Sequence, residues 1–233
     1  MIKGIAFDLE ATIVNLEKFH FDAFVLASEQ LGFRISFQGM LDNIPFCLGG
    51  GDQRIAEGVE VMSQQKIKAA DLLRLKLQFY ENMLTGVSIQ TRPGFREVFH
   101  QIAGLGFKVA IGSLTPVNQA RGIIERLRLT DLIPMENIVL REDVKDVKPA
   151  PDVWLETARR MGISSHEQLV FDDSAAGNEA ARRAGSKSIA MPVYDQPQTL
   201  KGLVDAGACR VFMDWREMNV CAVIARLNMG VER

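Results

Sequence analysis

The sequence predicts a doubly wound α/β protein: a parallel-sheet core interrupted once by an all-α insertion. Three observations lead there. From about position 93 onward, short apolar runs alternate with helical segments of about ten residues, the pattern of successive βαβ units. The N-terminal run "IKGIAF" reads as one more buried strand. Between these regions, residues 14–92 carry helical rather than strand periodicity.

Each element follows from its own residues. After "IKGIAF", the segment "EKFHFDAFVLASEQLG" spaces Phe19, Ala23, Leu26 and Ala27 at helical intervals and stops at Gly32. The short "FRISF" is the one strand-like interruption. "SQQKIKAADLLRLKLQFYENML" resumes the helical pattern with Ile67, Leu72, Leu75 and Phe79. Past "TRPG", helix "FREVFHQIAGLG" leads to strand "FKVAIGS", and helix "VNQARGIIERLRL" to strand "NIVLRED". Helix "PDVWLETARRMG" then leads to strand "QLVFDDS", and helix "AGNEAARRAG" to strand "SIAMP". "CRVFMDW" precedes a last helix, "REMNVCAVIARLN". Ser164 and Glu167 have the spacing of a capping box ahead of the fourth strand. The expected division is a core of residues 1–13 and 93–233 and a helical cap of residues 14–92.

Composition narrows the function classes. The 233 residues are 47% hydrophobic, enough for a packed core, and the net charge is −2. No broad electrostatic field recruits nucleic acid or a membrane surface. No apolar stretch reaches the roughly 18 residues that span a bilayer. Lys3 before a short apolar run gives no secretory pattern. Cys47, Cys209 and Cys221 are far apart and odd in number, as expected of free thiols in a reducing compartment. The expectation is a cytoplasmic protein, monomer or weak homodimer, without nucleic-acid or membrane partners.

In an open α/β sheet, ligands bind outside the carboxyl ends of the strands. The polar residues that follow each strand are therefore the candidates. The first strand delivers Asp8 and Glu10, the second Ser113. The third is followed by Lys145 and Lys148, and the fourth by Asp172 and Asp173. Each signal alone reads as a loop, a cap or a surface lysine. Together, in order and all at strand ends, they form a constellation. Four carboxylates within a few ångströms repel one another, and a divalent cation removes the conflict. Oxygen-only donors suit Mg²⁺, which keeps waters and accepts substrate phosphate. With Lys148 and Ser113 added, a phosphate would meet a metal, an ammonium and a hydroxyl, the positioning that phosphoryl transfer needs. Asp8 could serve as nucleophile, and Glu10 as the acid and base for the leaving oxygen and for water.

These residues resemble the haloacid dehalogenase (HAD) superfamily, whose core is Rossmann-like. "FDLEAT" is similar to its first motif, DxDGT, and "IGSLTP" to its second. "VKPAPDVWLETARRMG" is similar to the third, with Lys148 as the motif lysine, and "LVFDDSAAGNEAARRAG" to the fourth. The helical insertion resembles the cap of the phosphoglycolate phosphatase and β-phosphoglucomutase branch. The resemblance implies a Mg²⁺-dependent phosphatase acting on a small phosphorylated metabolite. It implies Asp8 as nucleophile and metal ligand, Glu10 as acid/base with its backbone carbonyl on the metal, Ser113 and Lys148 on the phosphoryl group, and Asp172 and Asp173 completing the metal site. A phosphomutase or a weakened domain that binds a phosphorylated ligand would use the same residues. Dehalogenation is disfavoured, because it does not use the Mg²⁺ site and goes with Tyr at the position of Glu10.

Two departures stand out. Glu10 replaces the Asp usual in phosphatases, and Ala11 replaces the usual Gly. Glutamate and aspartate have similar intrinsic pKa values, about 4.3 and 3.9. Their lengths differ, and a misplacement of about 1 Å can cost about 100-fold in rate. Ala11 restricts the turn if its φ is positive. Elsewhere, glycine-rich "LGGGDQR" at 48–54 lacks a P-loop's Lys-Ser/Thr and reads as a cap loop, with Arg54 a candidate for a substrate anion. His20, His100 and His166 do not follow strands, and Phe19, Phe21, Phe24, Phe33, Phe37 and Phe46 are expected to form the cap's own core.

Overall fold

The structure, a computed structural model, describes residues 1–48 and 50–229. The chain divides into two compact units. One is Leu16–Ser88; the other joins Met1–Asn15 to the chain from Ile89 onward.

The smaller unit is helical: α1 (Glu17–Gln30), α2 (Phe37–Asn43), α3 (Asp52–Met62) and α4 (Ala69–Thr85). Its apolar stripes meet in a core that includes Phe21, Phe24, Met40, Ile55, Val59, Leu72 and Tyr80. Of the six phenylalanines expected there, Phe21 and Phe24 are buried, and Phe19, Phe33, Phe37 and Phe46 are half-buried. "FRISF" is not a strand. Ser36 accepts a hydrogen bond from Gly39 N at 3.0 Å and caps α2, so Phe37 opens a helix. The helical pattern expected to start at Ser63 also begins later. Gln64 and Gln65 have positive φ, and Glu60 Oε2 takes the Ala69 amide at 2.9 Å, which sets the start of α4. The glycine-rich stretch leads into α3; its Gly49 lies outside the described residues.

The larger unit holds strands β1 (Gly4–Phe7), β2 (Lys108–Gly112), β3 (Ile138–Val139), β4 (Gln168–Asp172), β5 (Lys187–Ala190) and β6 (Arg210–Val211). All pairs are parallel, in the order β3-β2-β1-β4-β5-β6. Helices α5 (Phe95–Gly104), α6 (Val117–Arg126), α7 (Asp152–Met161), α8 (Ala175–Ala184), α9 (Pro197–Asp205) and α10 (Val220–Asn228) connect and cover them. Helix α9, with Pro197 at its start, has no counterpart in the sequence reading. Ser164 N donates to Glu167 Oε2 at 3.2 Å, so the expected capping box is present, on a single 3-10 turn before β4.

Two-residue alternation along the strands sorts side chains onto two faces. Phe7 and Phe171 stack at 5.4 Å and pack with Phe95, Phe99 and Trp215. On the other face, Ala6, Ala110, Val139 and Val170 pack against Val153, Trp154, Ala180 and Ala181 of α7 and α8. Asp8 and Asp172 come two residues after Ala6 and Val170, so the alternation carries them on the Trp154 side. This placement positions the site.

Candidate active site at the carboxyl edge of the sheet

Sheet order reverses direction between β1 and β4, the switch point at which open α/β sheets bind ligands. Asp8 follows β1 and Asp172 ends β4. The Asp8 amide donates to Phe171 O at 2.9 Å, which fixes the register of the two ends. Lys148, from the loop after β3, reaches this point. Its Nζ donates to Asp8 Oδ1 at 2.6 Å and to Asp172 Oδ2 at 2.7 Å. The ammonium lies 4.6 Å from the centre of the Trp154 ring, whose Nε1 donates to Gly177 O. Lys145 is exposed.

Asp172 is fully buried and held on both oxygens. Oδ2 takes Lys148, and Oδ1 accepts from Ser174 N at 2.8 Å and from Ser174 Oγ at 2.7 Å. The small-residue turn after the acidic pair makes this possible. A Cβ on Gly177 would lie 1.8 Å from Asp172 Oδ2, so only glycine leaves room for the carboxylate. Asp173 is half-buried and accepts from Thr12 Oγ1 at 3.4 Å.

Glu10 and Ser113 meet through a third residue. Thr115 Oγ1 donates to Glu10 Oε1 at 2.6 Å, and Ser113 Oγ donates to Thr115 Oγ1 at 3.0 Å. Ser113 is placed by the sheet: its amide donates to Val139 O at 3.0 Å, prolonging the β2–β3 ladder.

The turn after β1 is held from below. Ala11 has φ of +59°, the left-handed region the Gly-to-Ala departure made a concern. Arg92 is buried and spends its guanidinium on backbone carbonyls. Nη1 donates to Ala11 O at 2.6 Å and to Met191 O; Nη2 donates to Met213 O at 2.6 Å and to Pro192 O at 3.1 Å. Burial lowers the Arg92 pKa from its ordinary value, partly offset by Asp173 and Asp214. Trp215 Nε1 adds a hydrogen bond to Thr12 O.

Electrostatics follow from the burial. Burial pushes the Asp8 carboxyl up to about 7; Lys148 opposes the shift, and Asp172 and Glu10 add to it. Burial alone would lower the pKa of Lys148, but Asp172 and Asp8 outweigh it and hold the amine above its ordinary value. The Lys148 ammonium therefore offsets only part of what burial does to Asp8. The donor chemistry, oxygens only around a net negative buried cluster, fits a hard dication such as Mg²⁺. Among the described residues, no three His, Cys, Asp or Glu side chains stand grouped to hold a metal ion. Instead, Lys148 Nζ lies between Asp8 and Asp172.

Residues 5–191 match the family model for haloacid dehalogenase-like hydrolases. The chain belongs to that family. Among relatives, the hydrolase is 26% identical to a phosphorylated carbohydrates phosphatase of Thermotoga maritima, over 94% of this chain and 98% of that one. It is 28% identical to a fructose-1-phosphate phosphatase of Escherichia coli, over 80% of this chain and 94% of that one. The fold is shared with a β-phosphoglucomutase of Clostridium difficile, with a TM-score of 0.77 and 17% identity over 100% of both chains.

Sequence reasoning on the hydrolase missed Thr115, Arg92, Ser174 and Trp154. Thr115 and Ser174 sit beside residues already singled out, and their hydroxyls were the available signal. Trp154 reads as core from its helical spacing alone. Nothing local marks Arg92, whose partners lie 81–121 positions away.

Proposed function

We propose that this hydrolase is a Mg²⁺-dependent phosphatase of small phosphorylated metabolites, acting through an aspartyl-phosphate on Asp8. The relatives named as phosphatases and the family match support a phosphatase or phosphomutase. The observation that carries the aspartyl-phosphate reading is Lys148 bridging Asp8 and Asp172 at the switch point.

In the first half, an Asp8 carboxylate oxygen attacks phosphorus, the bond from phosphorus to the leaving oxygen breaks, and Glu10 protonates that oxygen. In the second half, Glu10 takes a proton from water as the water oxygen attacks phosphorus. The bond from phosphorus to Asp8 breaks, and orthophosphate leaves. Lys148 and Ser113 offer the phosphoryl oxygens an ammonium and a hydroxyl. Asp172 holds Lys148 in place. Asp8, the Glu10 backbone carbonyl and the Asp172–Asp173 pair would hold Mg²⁺. When bound, the ion would neutralise surplus charge and draw the Asp8 pKa down, so that the nucleophile is ionised at neutral pH.

Sugar phosphates are the substrate class we favour, since the names of both phosphatase relatives specify them. No described helix is long and apolar enough to cross a membrane, and the three cysteines are free. We place the protein in the cytoplasm on that basis. The test is phosphate release from a panel of sugar phosphates and p-nitrophenyl phosphate with Mg²⁺, for wild type and Glu10→Asp. Release by wild type supports the reading. Release only by Glu10→Asp contradicts it and favours a ligand-binding role. Isomerisation of a sugar phosphate with little release favours a mutase.

A further inference from the structure

We propose that Thr115 is the positioning residue that adapts this site to a glutamate at position 10. The inference rests on the reading of Glu10 as acid/base and goes one step past it.

Three observations converge. The Thr115 hydroxyl donates to Glu10 Oε1 at 2.6 Å, a short contact with a carboxyl oxygen. Thr115 is only 9% exposed, so solvent competes little for that bond. Its own position is fixed on both sides. Its amide donates to Ser113 Oγ at 3.2 Å, and its hydroxyl accepts from Ser113 Oγ at 3.0 Å. Pro116 follows at the N-cap position of α6, with φ of −57°. Thr115 is thus a rigid donor at the end of β2, aimed at a side chain that comes off the end of neighbouring β1.

The length of Glu10 gives the contact its meaning. An aspartate would withdraw the carboxylate by one carbon–carbon bond, about 1.5 Å. A hydrogen bond of 2.6 Å would stretch beyond hydrogen-bonding range unless the backbone moved. A glutamate has one more rotatable bond than an aspartate, and the Thr115 hydrogen bond to Oε1 restrains it. Ser113 can turn its hydroxyl to a phosphoryl oxygen without releasing Glu10 from Thr115.

The experiment compares Thr115→Val, Thr115→Ser, Glu10→Gln and the double variant Thr115→Val/Glu10→Gln, as full-length protein with Mg²⁺. Substrates are a sugar phosphate and p-nitrophenyl phosphate. Thr115→Val is expected to lower kcat about 10- to 100-fold on the sugar phosphate with KM nearly unchanged. The loss should be smaller on p-nitrophenyl phosphate, whose phenolate leaves without a proton. Thr115→Ser should recover most of the rate, and Thr115→Val should cost nothing further in the Glu10→Gln background. Carboxyl carbon NMR of labelled Glu10 should shift in Thr115→Val and not in Thr115→Ser. An equal loss with and without Glu10, a rise in KM at constant kcat, or an unmoved Glu10 signal would overturn the proposal. Wild-type rates in Glu10→Gln would instead overturn the acid/base reading itself.

Discussion

Arg92 donates to the carbonyl of Ala11, a residue held at φ of +59°. An L-residue in the left-handed region costs roughly 1 kcal/mol, and glycine does not bear that cost. The arginine holds the strained turn in place by tying it to carbonyls after β5 and β6. Ala11→Gly is therefore expected to raise stability by up to about 1 kcal/mol, less whatever the freer unfolded chain recovers. Arg92→Met should lower it by about 2–4 kcal/mol, because it strips donors from buried carbonyls. Urea unfolding of both variants checks the pair, and a destabilised Ala11→Gly would contradict the strain argument.

Gly177 leaves no room for a side chain beside Asp172. Alanine there would put Cβ 1.8 Å from Asp172 Oδ2 and 2.0 Å from its Cγ. The carboxylate must move, and Lys148 moves with it. Gly177→Ala is expected to cut kcat by about 100-fold or more and to cost several kcal/mol. A variant with normal kinetics would show that Asp172 is not needed where it sits.

The helical unit contains an ion cluster of its own. Lys76, with no solvent exposure, bonds Asp52 and lies 2.6 Å from His20 Nδ1 and 4.8 Å from the Tyr80 ring centre. Burial would raise the Asp52 pKa, but the His20 hydrogen bond and the Lys76 charge outweigh it and hold the carboxyl well below the usual range. A depressed folded-state pKa contributes stability that is present above the unfolded value near 3.8 and lost as pH falls below it. Acidification below about pH 4 should loosen this unit. Asp52→Asn should destabilise it already at neutral pH, by about 2–4 kcal/mol, since it leaves the buried Lys76 unpaired. The figure is below the maximum because the Asp52 side chain is 35% exposed. Hydrogen exchange of the α1 and α4 amides reads both effects.

Asp8 works in the opposite direction. Its folded-state pKa, about 7, lies above its unfolded value of 3.8. The native state binds the proton more tightly, so this contribution is complete below about pH 4 and is lost as pH rises through 7. Without divalent cation, the melting temperature should fall between pH 5 and pH 8 more steeply in wild type than in Asp8→Asn. Mg²⁺ should restore it at pH 8 and do little at pH 5. Equal slopes in the two proteins would contradict a raised Asp8 pKa in the folded state.

Much of this was legible in the sequence because strand ends are local features. An apolar run followed by Asp8, Ser113 or Asp172 shows both the strand and the residue it presents, and sheet order then brings these residues together. Local competition defeated the reading of "FRISF", where a serine cap outweighs a few β-prone residues. It also moved the start of α4 to Ala69. Arg92 and Thr115 escaped for another reason. Their roles exist only through contacts with positions 81 and 105 residues away. Sequence raised the question of Glu10 by its length, and Thr115 supplies the contact that length reaches.

Asp8 is the residue we expect to carry the phosphoryl group. Acid quenching during turnover of a sugar phosphate with Mg²⁺, followed by peptide mass spectrometry, should find a phosphoryl adduct on the peptide at Asp8 and neither adduct nor turnover in Asp8→Asn. Turnover by Asp8→Asn at the wild-type rate, or an adduct on another residue, would contradict it.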